Sequence, residues 1–319
     1  MPQPVSKASI AGFRAPDLGY GLAVMTVQPY AAGPRTIVIH EDDLGMTHGA
    51  NAAFRELVDK GICSCGSVMA PTPWFPEVAA MAAADPKLDV GVHLTLNAEK
   101  VPCRWRPLTR PPRSAGLTDD ADYLHLEVEP VRRNAEPEAV EAELRAQIDA
   151  VLSAGIDVTH LDAHCGAIMA PEFVDIYVRL GRDYDVPIVL APMMERYFRE
   201  NFRGPPPTEV YPPIIEAARA RGEPIFDRLL ETPWKRRGDV ASAYAAHFDK
   251  VPDGLTYMMF HFNQPGDYEA VEPELAHIRT EEYALFASGK IEPMLAERSL
   301  SLVGMRQIRD RRRRLRTLD

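Results

Sequence analysis

Four short apolar runs in this chain each end in side chains able to hold a cation or move a proton. Thr36–His40 runs directly into Glu41, Asp42 and Asp43, and Leu44–Gly45 follow. The run LDVGV delivers His93. The run VTHLD carries His160 and Asp162 and is followed by His164, and TYMMF ends at His261. Carboxylate and imidazole donors without a thiolate suit Zn²⁺, Mn²⁺, Co²⁺ or a similar ion, and an Asp-His-His set leaves positions open for water and substrate. Such an ion lowers the pKa of water and polarises a carbonyl, the two requirements of amide hydrolysis. A neighbouring carboxylate can then take a proton and an opposing imidazolium can give one. Taken singly, each histidine reads as a core or surface residue, and Asp42-Asp43 as a turn or helix cap. Their coincidence at four run ends favours a metal site.

Those residues need a scaffold that brings distant run ends together. From Arg35 onward, β-branched runs alternate with segments of helical spacing. Strands are predicted at Thr36–His40, Ser64–Met69, Asp89–Leu94, Val158–Asp162, Ile188–Leu190, Tyr257–His261 and Leu300–Val303. Helices are predicted at Gly49–Lys60, Pro76–Ala84, Pro137–Ala154, Pro171–Asp185, Val240–Phe248 and Pro273–Ser288. Gly61, Gly155 and Gly289 stand where helices end, and Pro137, Pro171 and Pro273 where they begin. This β-α alternation with continuously apolar strands predicts a parallel sheet covered by helices. No glycine-rich nucleotide fingerprint follows any strand, which weakens an open nucleotide-binding sheet. The expected fold is therefore α/β, a single distorted, TIM-like (β/α) barrel with long loop insertions. Its active mouth lies at the C-terminal strand ends. The insertions are residues 97–136 and 193–239, both rich in proline. The expected organisation is an irregular N-terminal arm (1–34), the barrel (35–304) and a basic C-terminal tail (305–319).

Motif by motif, the chain resembles the YdjC-like carbohydrate deacetylases, the chitooligosaccharide and hopanoid-sugar deacetylase group. HEDDLGMTHGANAAFRELVDKGICSCGSVM resembles the first motif of that family, VGVHLTLN the second, and THLDAHCGAIMAPEF the third. The likeness runs in order from about residue 35 to 190, with a weaker echo at 257–267. It implies a distorted barrel and N-deacetylation of an acetylated amino sugar or oligosaccharide with one divalent ion, Mg²⁺ or Zn²⁺, with Mn²⁺ or Co²⁺ as alternatives. By position it implies Asp43, His93 and His164 as metal ligands, Asp42 as catalytic base and His261 as the acid. His160 and Asp162 would orient the ligands from behind. Two departures stand out: Cys165-Gly166 follow His164 where further histidines are usual, and the late motif reads His261-Phe262-Asn263-Gln264-Pro265-Gly266-Asp267. A non-sugar amide or ester hydrolase on the same site, and a sugar-binding relative without turnover, are the alternatives these departures motivate.

Two further residues enter as substrate contacts. Trp74, in PTPWFPE, offers a ring face for a sugar or simply packs on the barrel rim. Asn97 contacts substrate or shapes a turn. Met193-Met194 with Tyr197 and Phe198 has helical spacing and reads as packing.

Composition narrows the partners. The 319 residues are 46% hydrophobic and 26% charged, ordinary globular usage. With 36 basic and 46 acidic residues the formal charge is −10, which disfavours nucleic acid as a partner. The dense RDRRRRLR at 309–316 reads as a terminal helix face pairing with the acidic body. No apolar stretch reaches the roughly 18 to 20 residues that span a bilayer, and no secretory pattern is visible. Four cysteines without a C-x-x-C unit exclude a disulfide scaffold and thiolate zinc. A cytoplasmic protein acting on a small-molecule or oligosaccharide substrate is expected, with no membrane partner. The apolar N-terminal arm permits a homo-oligomer.

Overall fold

A computed structural model describes residues 30–192, 194, 209–236 and 238–317. The N-terminal arm up to residue 29, and Met193, Tyr197 and Phe198, lie outside the described residues.

The β-branched run after Pro34 forms β1 (Arg35–Leu44), the centre of the molecule, with all but its first residue buried. The chain continues through α1 (His48–Asp59), β2 (Cys65–Val68), α2 (Phe75–Ala84) and β3 (Val90–Leu94). Then come α3 (Val128–Asn134), α4 (Pro137–Ser153), β4 (Leu161–Ala163), α5 (Val174–Asp183) and α6 (Tyr211–Ala220). β5 (Arg228–Glu231), α7 (Val240–Phe248), β6 (Gly254–Phe260), α8 (Tyr268–Val271) and α9 (Ala276–Ala287) follow. α10 (Ile291–Glu297), β7 (Ser301–Leu302) and α11 (Met305–Arg316) complete the order.

Among the described residues all seven strands pair in parallel, in the order β4-β3-β2-β1-β6-β5, with β7 beside the start of β1. The sheet curls into a distorted TIM-like barrel with helices around it. Helices cover it because each carries one apolar face. On α1 that face is Ala50, Ala53, Phe54 and Leu57, all buried; burying a Phe or Leu side chain contributes about 2 kcal/mol. Thr47 caps α1 by accepting from the Ala50 N–H at 3.1 Å.

Several predicted boundaries shift for physical reasons. Ile188–Leu190 does not form a strand: one bridge joins Ile188 to Leu161. Pro187 and Pro192 confine the segment, and each lacks the N–H a ladder needs. Leu190 nonetheless accepts from the Phe226 N–H at 2.8 Å, so this segment bridges the sheet edges β4 and β5. The 193–239 insertion contains a helix, α6, opened by Pro212 and Pro213, and a strand, β5, whose sequence RLLE lacks β-branched residues. The 97–136 insertion contains α3.

The arginine-rich terminus is α11, and it is not a fully solvated face. Arg309 and Arg312 are buried. Arg309 pairs with Asp157 at 2.6 Å, and Arg312 with Glu223 at 2.6 Å and Asp185 at 2.7 Å. Asp89 accepts from the Arg306 N–H at 2.7 Å and so caps this helix from the far end of β3.

Candidate functional site

A parallel sheet delivers every strand's C-terminal end to one rim, and the chemistry-bearing residues meet there. Asp42 and Asp43 lie near the end of β1, His93 within β3, His164 directly after β4 and His261 directly after β6. Together with Glu99, Lys100, Cys165, Glu231, Trp234 and Arg279 they line a cavity of about 290 Å³.

Adjacent strand residues normally face opposite sides of a sheet, yet Asp42 and Asp43 both line this cavity. Asp43 has φ of 64°, the left-handed region that Asp tolerates better than most residues. The β1–β2 register shifts between Glu41 and Leu44, a bulge that re-aims the side chain. Cys165, after His164, is left-handed as well, at φ 49°.

Asp43, His93 and His164 bring one donor atom each within 4.8 Å of one another, and all three are buried. His93 Nε2 lies 3.5 Å and His164 Nδ1 3.0 Å from Asp43 Oδ1. Donors at about 2.0–2.2 Å from a tetrahedral ion sit about 3.3 Å apart, so these separations fit a divalent cation. The second oxygen of Asp43 accepts from Arg279 at 2.8 Å. Behind His93, Asp162 Oδ1 stands 2.9 Å from Nδ1, and Ser67 Oγ stands 3.0 Å from the same nitrogen. His164 Nε2 meets Glu99 at 2.7 Å.

His160 does not touch this trio. It lies deeper, 3.0 Å from His40 Nε2 and 3.2 Å from the Tyr257 hydroxyl. A β-carbon at Gly91 would fall 2.5 Å from its ring, so glycine is required there. His40 in turn sits 2.7 Å from Asp42 Oδ1. Trp74 is exposed and packs beside His48, and Asn97 is buried with its Nδ2 towards Glu99. Neither lines the cavity.

Burial and neighbouring charge pull against each other throughout the site. Burial opposes charging of His93, but Asp162 and Asp42 outweigh it and carry the imidazole up to about 10. Burial raises Asp42 above the usual carboxylate range, against the pull of His93 and His40. Burial acts the same way on Asp43, yet Arg279 and the imidazoles hold it well below that range. His160 is pushed down to about 3 by burial and by His40. Burial, then Arg279, holds His261 well below the usual imidazole value.

His261 faces Asp42 across the cavity, Nε2 to Oδ2 at 3.8 Å. Its other face packs on Trp234, ring centroids 4.7 Å apart. Its Nδ1 lies 2.8 Å from Thr232 Oγ1, and its backbone N–H donates to Glu282 at 2.7 Å. Burial pushes Glu282 up to about 7, against the pull of its hydrogen-bond donors, Tyr244 first.

Residues 36–297 match the YdjC-like protein family. The chain belongs to that family. It is 33% identical to a carbohydrate deacetylase of Thermus thermophilus over 83% of this chain and 91% of that one. It is 27% identical to a carbohydrate deacetylase of Thermoanaerobacter pseudethanolicus over 49% of this chain and 61% of the relative. Among solved structures, one from Enterococcus faecalis V583, provisionally named a cellobiose-phosphate cleavage protein, superposes with a TM-score of 0.67. It is 18% identical and covers 86% of this chain and 98% of its own. That likeness is one of fold alone.

Within this YdjC-like barrel, sequence reasoning missed Arg279, Glu99, Trp234, Thr232 and Glu282. Arg279 and Glu282 have a usable signal. They stand three apart on α9, on the face that also buries Ile278, Leu285 and Phe286, where a charged pair is out of place unless it serves a site. Among the described residues, no helix is long and apolar enough to cross a membrane.

Proposed function

We propose that this chain is a metal-dependent hydrolase that removes the acetyl group from the amide nitrogen of an N-acetylated amino sugar or oligosaccharide. The observation that carries the reading is the convergence of Asp43, His93 and His164 at metal-ligand spacing, with Asp42 and His261 facing each other beside them. Membership of the YdjC-like family and the names of its relatives support the substrate class. A donor set of two imidazoles and one carboxylate suits Zn²⁺, Co²⁺ or Mn²⁺ better than Mg²⁺, which prefers oxygen.

A cation held by Asp43, His93 and His164 supplies Lewis-acid chemistry, lowering the pKa of water and polarising the acyl carbonyl. Asp42, with Oδ1 held by His40, keeps Oδ2 towards the cavity to take the proton from water. The acyl carbon gains the water oxygen, the C–N bond breaks, and the nitrogen gains a proton. His261 Nε2, 3.8 Å from Asp42 Oδ2, is placed to receive that proton and hand it to the leaving nitrogen. Arg279 orients Asp43, and Trp234 walls the cavity against bulk water.

The test compares two neighbouring substitutions. Asp43→Asn is expected to lose bound metal, measured by elemental analysis, together with acetate release from N-acetylated sugars. Asp42→Asn is expected to keep its metal and lose about 10²–10⁴-fold in turnover. Full metal content in Asp43→Asn would overturn the assignment. Acetate release from non-sugar amides alone would move the substrate class.

A further inference from the structure

The cavity's late histidine is held by a side chain that carries a hydrogen in only one direction. Thr232 Oγ1, fully buried, lies 2.8 Å from His261 Nδ1 and 2.9 Å from Glu282 Oε1, with Glu282 Oε2 at 3.2 Å. Glu282 is itself fully buried and also accepts from the Tyr244 hydroxyl and from the backbone N–H of His261. When ionised, the Glu282 carboxylate only accepts, and a threonine hydroxyl has one hydrogen and free lone pairs. The Thr232 hydrogen therefore goes to Glu282, and its oxygen is left to accept from His261 Nδ1–H. The backbone fixes the geometry further, because the Thr232 N–H donates to Met259 on β6 at 2.9 Å, next to the strand end that carries His261.

We infer that Thr232, polarised by Glu282, is a positioning residue that locks His261 in the Nδ1–H tautomer, so that Nε2 is the single nitrogen through which the imidazole exchanges a proton in the cavity. The inference rests on the reading of His261 as the proton donor to the leaving nitrogen. In the opposite tautomer Nε2 already carries hydrogen and cannot accept a proton from Asp42. The Nδ1 lone pair would then point at the Thr232–Glu282 pair, where no proton is needed. A triad in which a carboxylate fixes a catalytic imidazole's tautomer follows the same logic; here a hydroxyl is interposed. Trp234 packs against the ring, so the imidazole cannot flip without breaking that contact.

The experiment reads the tautomer directly. The full chain, labelled with ¹⁵N-histidine, is measured by NMR at pH 8.5, above the value to which burial raises Glu282, with His261→Gln identifying the resonance. Wild type is expected to show hydrogen on Nδ1, and Thr232→Ser, which keeps the hydroxyl, the same. Thr232→Val is expected to shift the ring towards the Nε2–H form. In that variant kcat for acetate release should fall about 100-fold, with KM within about two-fold of wild type and Thr232→Ser restoring most of the rate. An Nε2–H ring in wild type, or an unchanged tautomer in Thr232→Val, overturns the inference. If Thr232→Val does not fold, the wild-type spectrum and Glu282→Gln decide: a Gln amide can donate to the hydroxyl and release the lock, so an unaltered ring there is also a refutation. Absence of turnover in wild type would sink the proposed function while leaving the tautomer result to stand or fall separately.

Discussion

Asp162 Oδ1 lies 2.9 Å from His93 Nδ1, and this one contact turns the opposite nitrogen of the ring towards Asp43. A carboxylate behind an imidazole fixes its tautomer and raises its basicity as a donor. Asp162 also accepts from Ser67 at 3.0 Å and from Tyr257 at 3.2 Å, so its own position is over-determined. Replacing it with asparagine should weaken metal binding by about 10–100-fold while the fold survives. Isothermal titration with Zn²⁺, checked by circular dichroism, measures this; unchanged affinity would remove Asp162 from the design.

Gly91 faces the ring of His160 with no room for a side chain. Gly91→Ala should destabilise the protein by about 1–3 kcal/mol through overpacking, read from urea denaturation.

Asp89 gives a pH dependence of stability. Burial, the largest influence, raises its carboxyl from 3.8 to about 6 against the pull of Thr159 and Arg306. A raised value means the folded protein holds a proton that the unfolded chain has released. The contribution of this group to stability is therefore greatest below about pH 4, falls as pH rises from about 4 to about 6, and is flat above. The span corresponds to about 3 kcal/mol. Denaturation midpoints of wild type and Asp89→Asn across this window should differ in slope; parallel curves would refute the expectation.

α11 should be worth more to the fold than its composition suggests. Arg312 is completely buried between Glu223 and the half-exposed Asp185. Arg312→Ala leaves Glu223 paired only with the partly exposed Arg316 and should cost about 3 kcal/mol, the lower end for a buried pair. Arg314→Ala, on the exposed face, should stay within about 0.5 kcal/mol. Equal effects from the two would mean that the helix contributes only general charge.

Much of the scaffold was legible because its signals are local. A β-branched run such as Thr36–Ile39 announces a strand, and Gly61 announces the end of α1. The residues that meet in the cavity were legible because parallel strands must deliver their ends to one rim, so Asp42, Asp43, His93, His164 and His261 needed only the topology. The supporting shell follows no such rule. Glu99 comes from a loop, Trp234 and Thr232 from the turn after β5, and Arg279 and Glu282 from a helix where charge ordinarily faces water. β5 is hidden by a leucine-rich sequence that fits a helix equally well, and Ile188–Leu190, flanked by Pro187 and Pro192, pairs with β4 through a single bridge at Ile188 and does not extend into a strand. Trp74 and Asn97 follow strand ends in sequence, but a place after a strand does not say which way the loop turns, and neither side chain lines the cavity.

The left-handed twist at Asp43 has a consequence for anyone wishing to move this chemistry elsewhere. Copying the two aspartates onto a regular strand would send one into the pocket and the other into the opposite layer. A transplant must carry the torsion along with the side chains, which restricts hosts to frameworks already bent at that residue. It also narrows what a mutagenesis library can sample: a β-branched replacement at position 43 removes the donor and straightens the bend in one stroke, so its phenotype reports two losses at once.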